Sequence, residues 1–297
     1  MKYVKQEITD YTSTNITQLH PDWVAGTTYA LGDIIKYGSY FYKSAIASNV
    51  GQSPEEYLGV YWITWGVSNK HSMIDLQSST QTVVTGDDLI VTFPIGDIDT
   101  LAIGYYSATT LIVENLDASN NVLYTQTFTQ SVNNTVTDYY SYMYDAYSIE
   151  VDKAQYIDIH NLGTQLRVSF MRGVLTEVSC GFLIGGQAID MGKTLDSVQF
   201  KFTSYSTKKP DEYGIITITK RSVQDLVDFQ TAIDKAELTQ LKRYAKRDYD
   251  DIVAFIVDDT EDSVYENLIT LGVIQNMSTV ATNQTKQFMT WSILEAI

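Results

Sequence analysis

Eight short apolar runs follow one another between residues 68 and 209, bounded by Asp, Asn, Gly and other polar residues. They read "DLIVTFPI", "TLAIGYY", "TTLIVENLD", "NVLYTQTF", "YIDIHNL", "LRVSFMRG", "SCGFLIGGQAI" and "SVQFKFTSYS". Runs of this length, rich in β-branched and aromatic side chains and closed by turn formers, are strands. So many at so regular a spacing restrict residues 67–209 to an all-β unit, and a jelly-roll-like β-sandwich is the expectation.

Upstream, residues 1–20 are polar and read as an extended arm lying on a neighbour, closed by the turn His20-Pro21-Asp22. Residues 21–66 form a separate aromatic module. "DIIKYG" and "YFYKSA" read as two strands joined at Gly38-Ser39, and "YWITWG" (Tyr61 to Gly66) follows. A unit of about 45 residues without a disulfide has little with which to fill a core. The rings of Trp23, Tyr29, Tyr37 and Trp62 are therefore expected inside it, with Trp65 at the junction to the sandwich. A platform for sugar is the competing use of so many rings.

Downstream, Lys208-Lys209-Pro210-Asp211 reads as a boundary, and the pattern changes after it. "GIITITK", "DIVAFIV" and "KQFMTWSILEAI" read as strands. "SVQDLVDFQTAI" places Val223, Leu226, Val227 and Ile233 near one helical face, and "DKAELTQLKRYAKR" does the same with Ala236, Leu238, Leu241 and Tyr244. Two helices among strands predict an α+β assembly domain over residues 210–297. The whole chain is then mainly β with a C-terminal α+β domain.

With 20 Lys/Arg against 36 Asp/Glu, the net charge is −16, and such a surface repels phosphate backbones, so nucleic acid is not an expected partner. No apolar run reaches the roughly 18 residues of a spanning helix, so no membrane insertion is expected. The first fifteen residues lack the apolar core of a secretory signal, which predicts folding in a cytoplasm.

Chemistry-bearing residues are sparse. His20, His71 and His160 stand in three unrelated contexts without metal-ligand spacing, and Cys180 sits in an apolar strand as a structural thiol. "GFLIGGQAIDMG" lacks the Lys-Ser/Thr of a phosphate loop, and "DDTED" lacks the alternating ligands of a calcium loop. No carboxylate pair stands in a recognisable glycosidase context. No enzyme, metal or cofactor is expected. What remains is aromatic: 22 tyrosines, five of them between positions 139 and 147. Candidates for glycan or protein contact are Tyr40, Tyr42, Trp62, Trp65, Tyr140, Tyr142 and Tyr144, since Tyr is enriched at interfaces. For contact between subunits, the basic helix end Lys242, Arg243, Lys246 and Arg247 would meet an acidic loop containing Asp258 and Asp259, head to tail. Pairing of that helix end with its own dipole is the local alternative.

Two resemblances attach to these residues. Trp23, Tyr29, Gly32-Asp33, Tyr37-Gly38, Tyr40, Tyr42, Pro54 and Trp62 follow the W…Y…GD-x-V-x-Y-x-G-x-x-Y pattern with a closing Trp, and residues 21–66 resemble the small chitin-binding type of carbohydrate-binding module. Ser44-Ala45-Ile46-Ala47-Ser48 stands where sugar-binding members carry adjacent exposed tryptophans, so the resemblance implies the scaffold and weak or no glycan binding. "WGVSNKHSMIDLQSSTQT" (Trp65 to Thr82) resembles the "G-P-T-N-R-W-A-M-F-D … T-x-T" passage of bacteriophage tail and baseplate structural proteins. Asp138-Tyr139-Tyr140-Ser141-Tyr142 and "CGFLIGGQAIDMGKT" are similar to later stretches of the same proteins, the second also to galactose-binding-like sandwiches. The resemblance implies a virion tail component, assembled in the host cytoplasm as a homo-oligomer. Other tail, baseplate or fibre proteins would be its partners, with a host surface glycan as a further one. A glycan-binding tail adhesin is the alternative it leaves open.

Overall fold

The computed structural model describes residues 1–129, 153–160, 162–210, 216–257, 269–280 and 285–296. Among them the chain is mainly β, in several sheets, with one short helix.

Seven of the eight runs supply strands to two facing sheets, consistent with the expected β-sandwich. Its first sheet runs β10 (Val122–Thr129), β9 (Thr110–Leu116), β12 (Gln165–Met171), β7 (Leu89–Pro94) and β2 (Ser13–Thr14). Opposite lie β11 (Lys153–Asp158), β8 (Thr100–Tyr106) and β14 (Phe182–Gly186), with the pair β13 (Glu177–Cys180) and β6 (Thr82–Thr85). Alternate residues share a face of a strand. Leu89, Val91 and Phe93 therefore meet Leu166, Val168 and Phe170 from one sheet and Leu101, Ile103 and Leu183 from the other in one buried core. The remaining faces of β8 and β14 are also covered: Ala102, Phe182 and Ile184 pack on Val4, Ala254, Ile256 and Leu271. A strand buried on both faces reads as an unbroken apolar run, which explains "CGFLIGG".

That second contact leads to a seven-stranded antiparallel sheet. Its order is β15 (Ala188–Asp190), β1 (Lys2–Lys5), β20 (Val253–Ile256), β21 (Ile269–Val280), β22 (Lys286–Glu295), β19 (Val223–Asp234) and β16 (Lys193–Ser204). The two outermost strands, β15 and β16, are consecutive stretches of one chain joined through Met191 and Gly192. The sheet thus curls round until its edges nearly meet. Gly192 makes the corner at φ +91°, and a Cβ there would lie 2.5 Å from the Ala232 carbonyl oxygen. The N-terminal amino group donates to the Gly192 carbonyl at 2.7 Å, and Thr194 Oγ1 donates to the Val257 carbonyl across the same gap. Inside the curl lie Tyr3, Val227, Phe229, Phe255, Met289, Trp291 and Ile293, covered by Leu241 and Ala245 of the helix α1 (Leu238–Arg247).

Three readings of the sequence need correction. Residues 223–234, read as a helix, form β19, because Val227, Phe229, Thr231 and Ile233 alternate inward. Thr231 breaks the apolar alternation in the sequence, and its Oγ1 accepts the indole N–H of Trp291 at 2.9 Å in the core. "SVQFKFTSYS" belongs to the curled sheet through β16 and does not close the sandwich. Residues 1–20 are extended but lie in their own chain: β1 pairs with β15 and β20, Ile8 and Tyr11 enter the sandwich core, and β2 pairs with β7.

The segment read as a boundary starts the far end of a long ribbon. β17 (Thr207–Pro210) pairs with β18 (Ile216–Thr219), continuing the β16–β19 pair outward. Pairing of β19 with β22 begins only at Leu226, so the strands beyond it form a two-stranded ribbon.

The aromatic module is a three-stranded sheet of β3 (Ile34–Tyr37), β4 (Tyr40–Ser44) and β5 (Trp62–Val67). Gly38 turns the hairpin at φ +60°. Asp33 fixes the preceding turn by accepting the Ala30 N–H at 2.7 Å.

Candidate interaction surface

The module's rings divide into two groups. Tyr29, Ile35 and Trp62 form its buried centre, and Trp62 donates its indole N–H to the Gln52 carbonyl at 2.9 Å. Trp62 is fully buried, so it drops out as a contact residue. Trp23, Tyr37 and Tyr42 are half-buried around that centre, with edge-to-face contacts between Trp23 and Tyr37 and between Tyr37 and Tyr42. Such pairs add about 0.5–1.5 kcal/mol beyond burial. Of the four rings expected inside, Tyr29 and Trp62 are buried, whereas Trp23 and Tyr37 are only half-buried.

Tyr40 and Trp65 are the contact candidates that face solvent, 45% and 57% exposed. They do not make one platform. Tyr40 shares its face of β4 with Tyr42, whereas the Lys43 ammonium, on the opposite face, sits 4.6 Å from the Trp65 ring centre. Trp65 is the extra residue of a β-bulge, since Phe41 pairs with Gly66 and Tyr42 with Thr64. Three positions from the buried Trp62 on one strand, it faces the opposite way, outward rather than into the junction with the sandwich. Sequence reasoning missed the module's other exposed apolar residues: Val24, Leu31, Leu58, Val60 and Ile63 are all more than half exposed. The signal was there in the composition, since a module this small cannot bury every apolar residue it carries.

The passage after Trp65 is a network of local hydrogen bonds. Asn69 pairs its side-chain amide with both the N–H and the C=O of Val83, and Thr82 Oγ1 bridges the Asn69 carbonyl and the Met73 N–H. Ser68 Oγ lies 2.8 Å from His71 Nδ1, and His71 Nε2 lies 3.5 Å from an Asp10 oxygen. The residue types are those of a nucleophilic triad, but Ser68 is 1% exposed and Asp10 is engaged by Lys70 at 2.9 Å. Burial, helped by the Lys70 charge, holds His71 below its usual pKa, so it is neutral at pH 7. These groups tie residue 10 to residues 68–83. Burial likewise pushes the Cys180 thiol far up, which keeps it protonated.

At the helix end, Arg247 forks onto Asp248 of its own chain, Nε to Oδ1 at 2.8 Å and Nη2 to Oδ2 at 2.6 Å. Tyr3 donates its hydroxyl to the same buried carboxylate at 2.8 Å, and Lys5 adds a contact at 3.3 Å. Burial pushes the Asp248 pKa up, but bonds from Arg247 and Tyr3 outweigh it and hold it below the usual range. Arg243 and Lys246 are exposed and Lys242 is half-buried. Asp258, Asp259, Tyr140, Tyr142 and Tyr144 lie outside the described residues.

Among the described residues no group of three or more His, Cys, Asp or Glu is placed to hold a metal ion, and no helix is long and apolar enough to cross a membrane. Comparison with protein-family models, with curated proteins and with solved structures finds no match for this chain.

Proposed function

We propose that the chain is a structural component of a bacteriophage tail or baseplate, packing as a ring of like subunits and connecting tail parts or fibres. The observation that carries this reading is where its apolar surface lies. Val24, Leu31, Leu58, Val60, Ile63 and Trp65 are each more than half exposed on a 45-residue unit. So many large apolar side chains left in solvent on so small a unit suit a part that another macromolecule covers. The Asn69, Met73 and Thr82 network gives the motif resembling tail proteins a structural role, which is what such a component needs. The test is a C-terminal label located by electron microscopy on purified particles. Label at a fixed place on the tail supports the reading, and particles lacking the chain refute it.

A second reading, a tail adhesin for host glycan, is favoured by Trp65 alone, an outward ring on a bulge beside Lys43. Glycan arrays separate the two. Weak or no binding is expected, and tight binding to one glycan that disappears in Trp65→Ala would favour the adhesin.

A further inference from the structure

The ribbon beyond Leu226 and the stretch of β16 leading into it leave large apolar side chains in solvent: Phe202 lies in the ribbon, and Phe200, opposite Val227, lies where β22 still pairs with β19. Phe200 and Phe202 of β16 are 52% and 73% exposed, and Val223 and Ile218 about half exposed. Phe200, Phe202 and Val223 share one face, because Phe200 pairs with Val227, Phe202 with Asp225 and Ser204 with Val223. That is the face which, further back, is covered by the helix through Val227 and Phe229. A two-stranded ribbon is at best marginally stable in water by itself. β16 is also the outermost strand of its sheet, an open edge of the kind that recruits a partner.

Charge names the partner. Residues 201–221 hold five Lys/Arg against two Asp/Glu, leaving 15 against 34 in the rest of the chain. The ribbon is thus a basic, apolar finger on an acidic molecule, and another copy of that molecule is its electrostatic complement. An open groove lies toward the Ile233 end of β19. About 330 Å³ in volume, it runs between β15 and α1, floored by Ile189, Ile233 and Leu241 and edged by Asp190, Glu237 and Tyr244. Val223 and Ile233 stand near opposite ends of β19, and at about 3.3 Å per residue they are roughly 33 Å apart. The ribbon extends away from the groove, so it cannot fill the groove of its own chain.

We propose that the ribbon of one copy docks in the β15–α1 groove of the next, Phe202 and Phe200 against its apolar floor and Lys209, Lys220 and Arg221 toward its acidic rim. The contact joins two different surfaces, so it is heterologous and closes into a ring or runs on as a filament. Its purpose rests on the tail-assembly reading above, but its geometry does not.

The experiment is sedimentation velocity on the full chain and two variants. Lys220→Glu with Arg221→Glu spoils the ribbon, and Glu237→Lys with Gln240→Lys spoils the groove. All four positions are exposed, and unchanged melting confirms folding. The wild type should self-associate with rising concentration, and each variant should associate roughly a hundredfold more weakly. Mixed together, the two should recover a dimer, because one intact ribbon and one intact groove remain. Phe202→Ser, which keeps the charge, should also weaken association. A wild type that stays monomeric, a variant that associates like it, or a mixture that stays monomeric overturns the proposal. Failure to find the chain in virions would remove the tail reading and leave this result standing.

Discussion

The aromatic module and the curled sheet solve the same problem with opposite means. Both are antiparallel sheets with an apolar inner face to cover, and the curled sheet also covers the outer face of β1, β20 and β21 against the sandwich. The curled sheet wraps its inner face round on itself and seals it with α1, so that Trp291, Phe229, Phe255 and Ile293 are lost to solvent. The module has three strands and nothing to close it. It buries Tyr29, Ile35 and Trp62, and leaves its other rings half-covered and several aliphatic side chains outside. Strand pairing alone therefore does not decide how much apolar surface stays exposed. The number of strands and the presence of a cover do.

Truncating the buried tryptophans should show the contrast most strongly. Trp291→Ala removes a fully buried ring and leaves Thr231 Oγ1 without its donor, and should cost about 3–5 kcal/mol in chemical denaturation of the body. Trp62→Ala should cost the module a similar amount while the main transition hardly moves. If both variants lowered one shared transition, the two regions would be a single cooperative unit and the comparison would fail.

Closure of the curled sheet can be broken at its corner. Gly192→Ala forces a Cβ toward the Ala232 carbonyl at a positive φ, and should destabilise by about 1–3 kcal/mol. The same change at Gly38, also at positive φ but with open space around it, should cost less. Equal effects in differential scanning calorimetry would mean that the Gly192 corner is not held tightly.

Asp248 is a pH-dependent fastener of the curled sheet. Its folded pKa is depressed, so its contribution is present above the unfolded carboxylate value near 3.9 and is lost as pH falls through the folded value. Asp248→Asn should cost about 1–3 kcal/mol at pH 7, where the carboxylate accepts from Arg247 and Tyr3. In urea titrations the gap to wild type should narrow as the pH drops below about 4. A gap constant from pH 7 to acid would show that the charge contributes nothing.

The smallest effect belongs to the module's surface. Trp65→Ala removes an exposed ring and one contact with Lys43, and should change stability by no more than about 0.5 kcal/mol. A larger loss would make Trp65 part of the core after all.

What the sequence revealed follows period and length. The sandwich strands β7 to β14, with β20, β22 and α1, were legible because each run has one clear periodicity and clear ends; β2 and β6, of two and four residues, were not. β19 was not, because Thr231 sits on its inward face and Val223, Leu226 and Val227 imitate a helical stripe. The place of residues 1–5 was hidden for another reason. Their partners in β15 and β20 lie some 185 and 250 positions away, and four residues carry too little pattern to announce a strand. The rings of the module were legible as a group, but Trp62 and Trp65 could not be told apart. Three positions apart on one strand they face opposite ways, but which of the two faces is covered depends on the rest of the module. The ribbon was invisible for another reason: Lys208 to Asp211 carry the composition of a linker, and only the pairing of Lys208, Lys209 and Pro210 with β18 makes their segment a strand.

Hydroxyl-radical footprinting of the free and the assembled protein tests the central claim, that the exposed rings are contact surface and the buried ones are structure. Trp62 and Trp291 should resist oxidation in both states. Phe200, Phe202 and Trp65 should react readily in the free chain and be protected on assembly. Equal reactivity of those three in the two states, with assembly demonstrated, would contradict it.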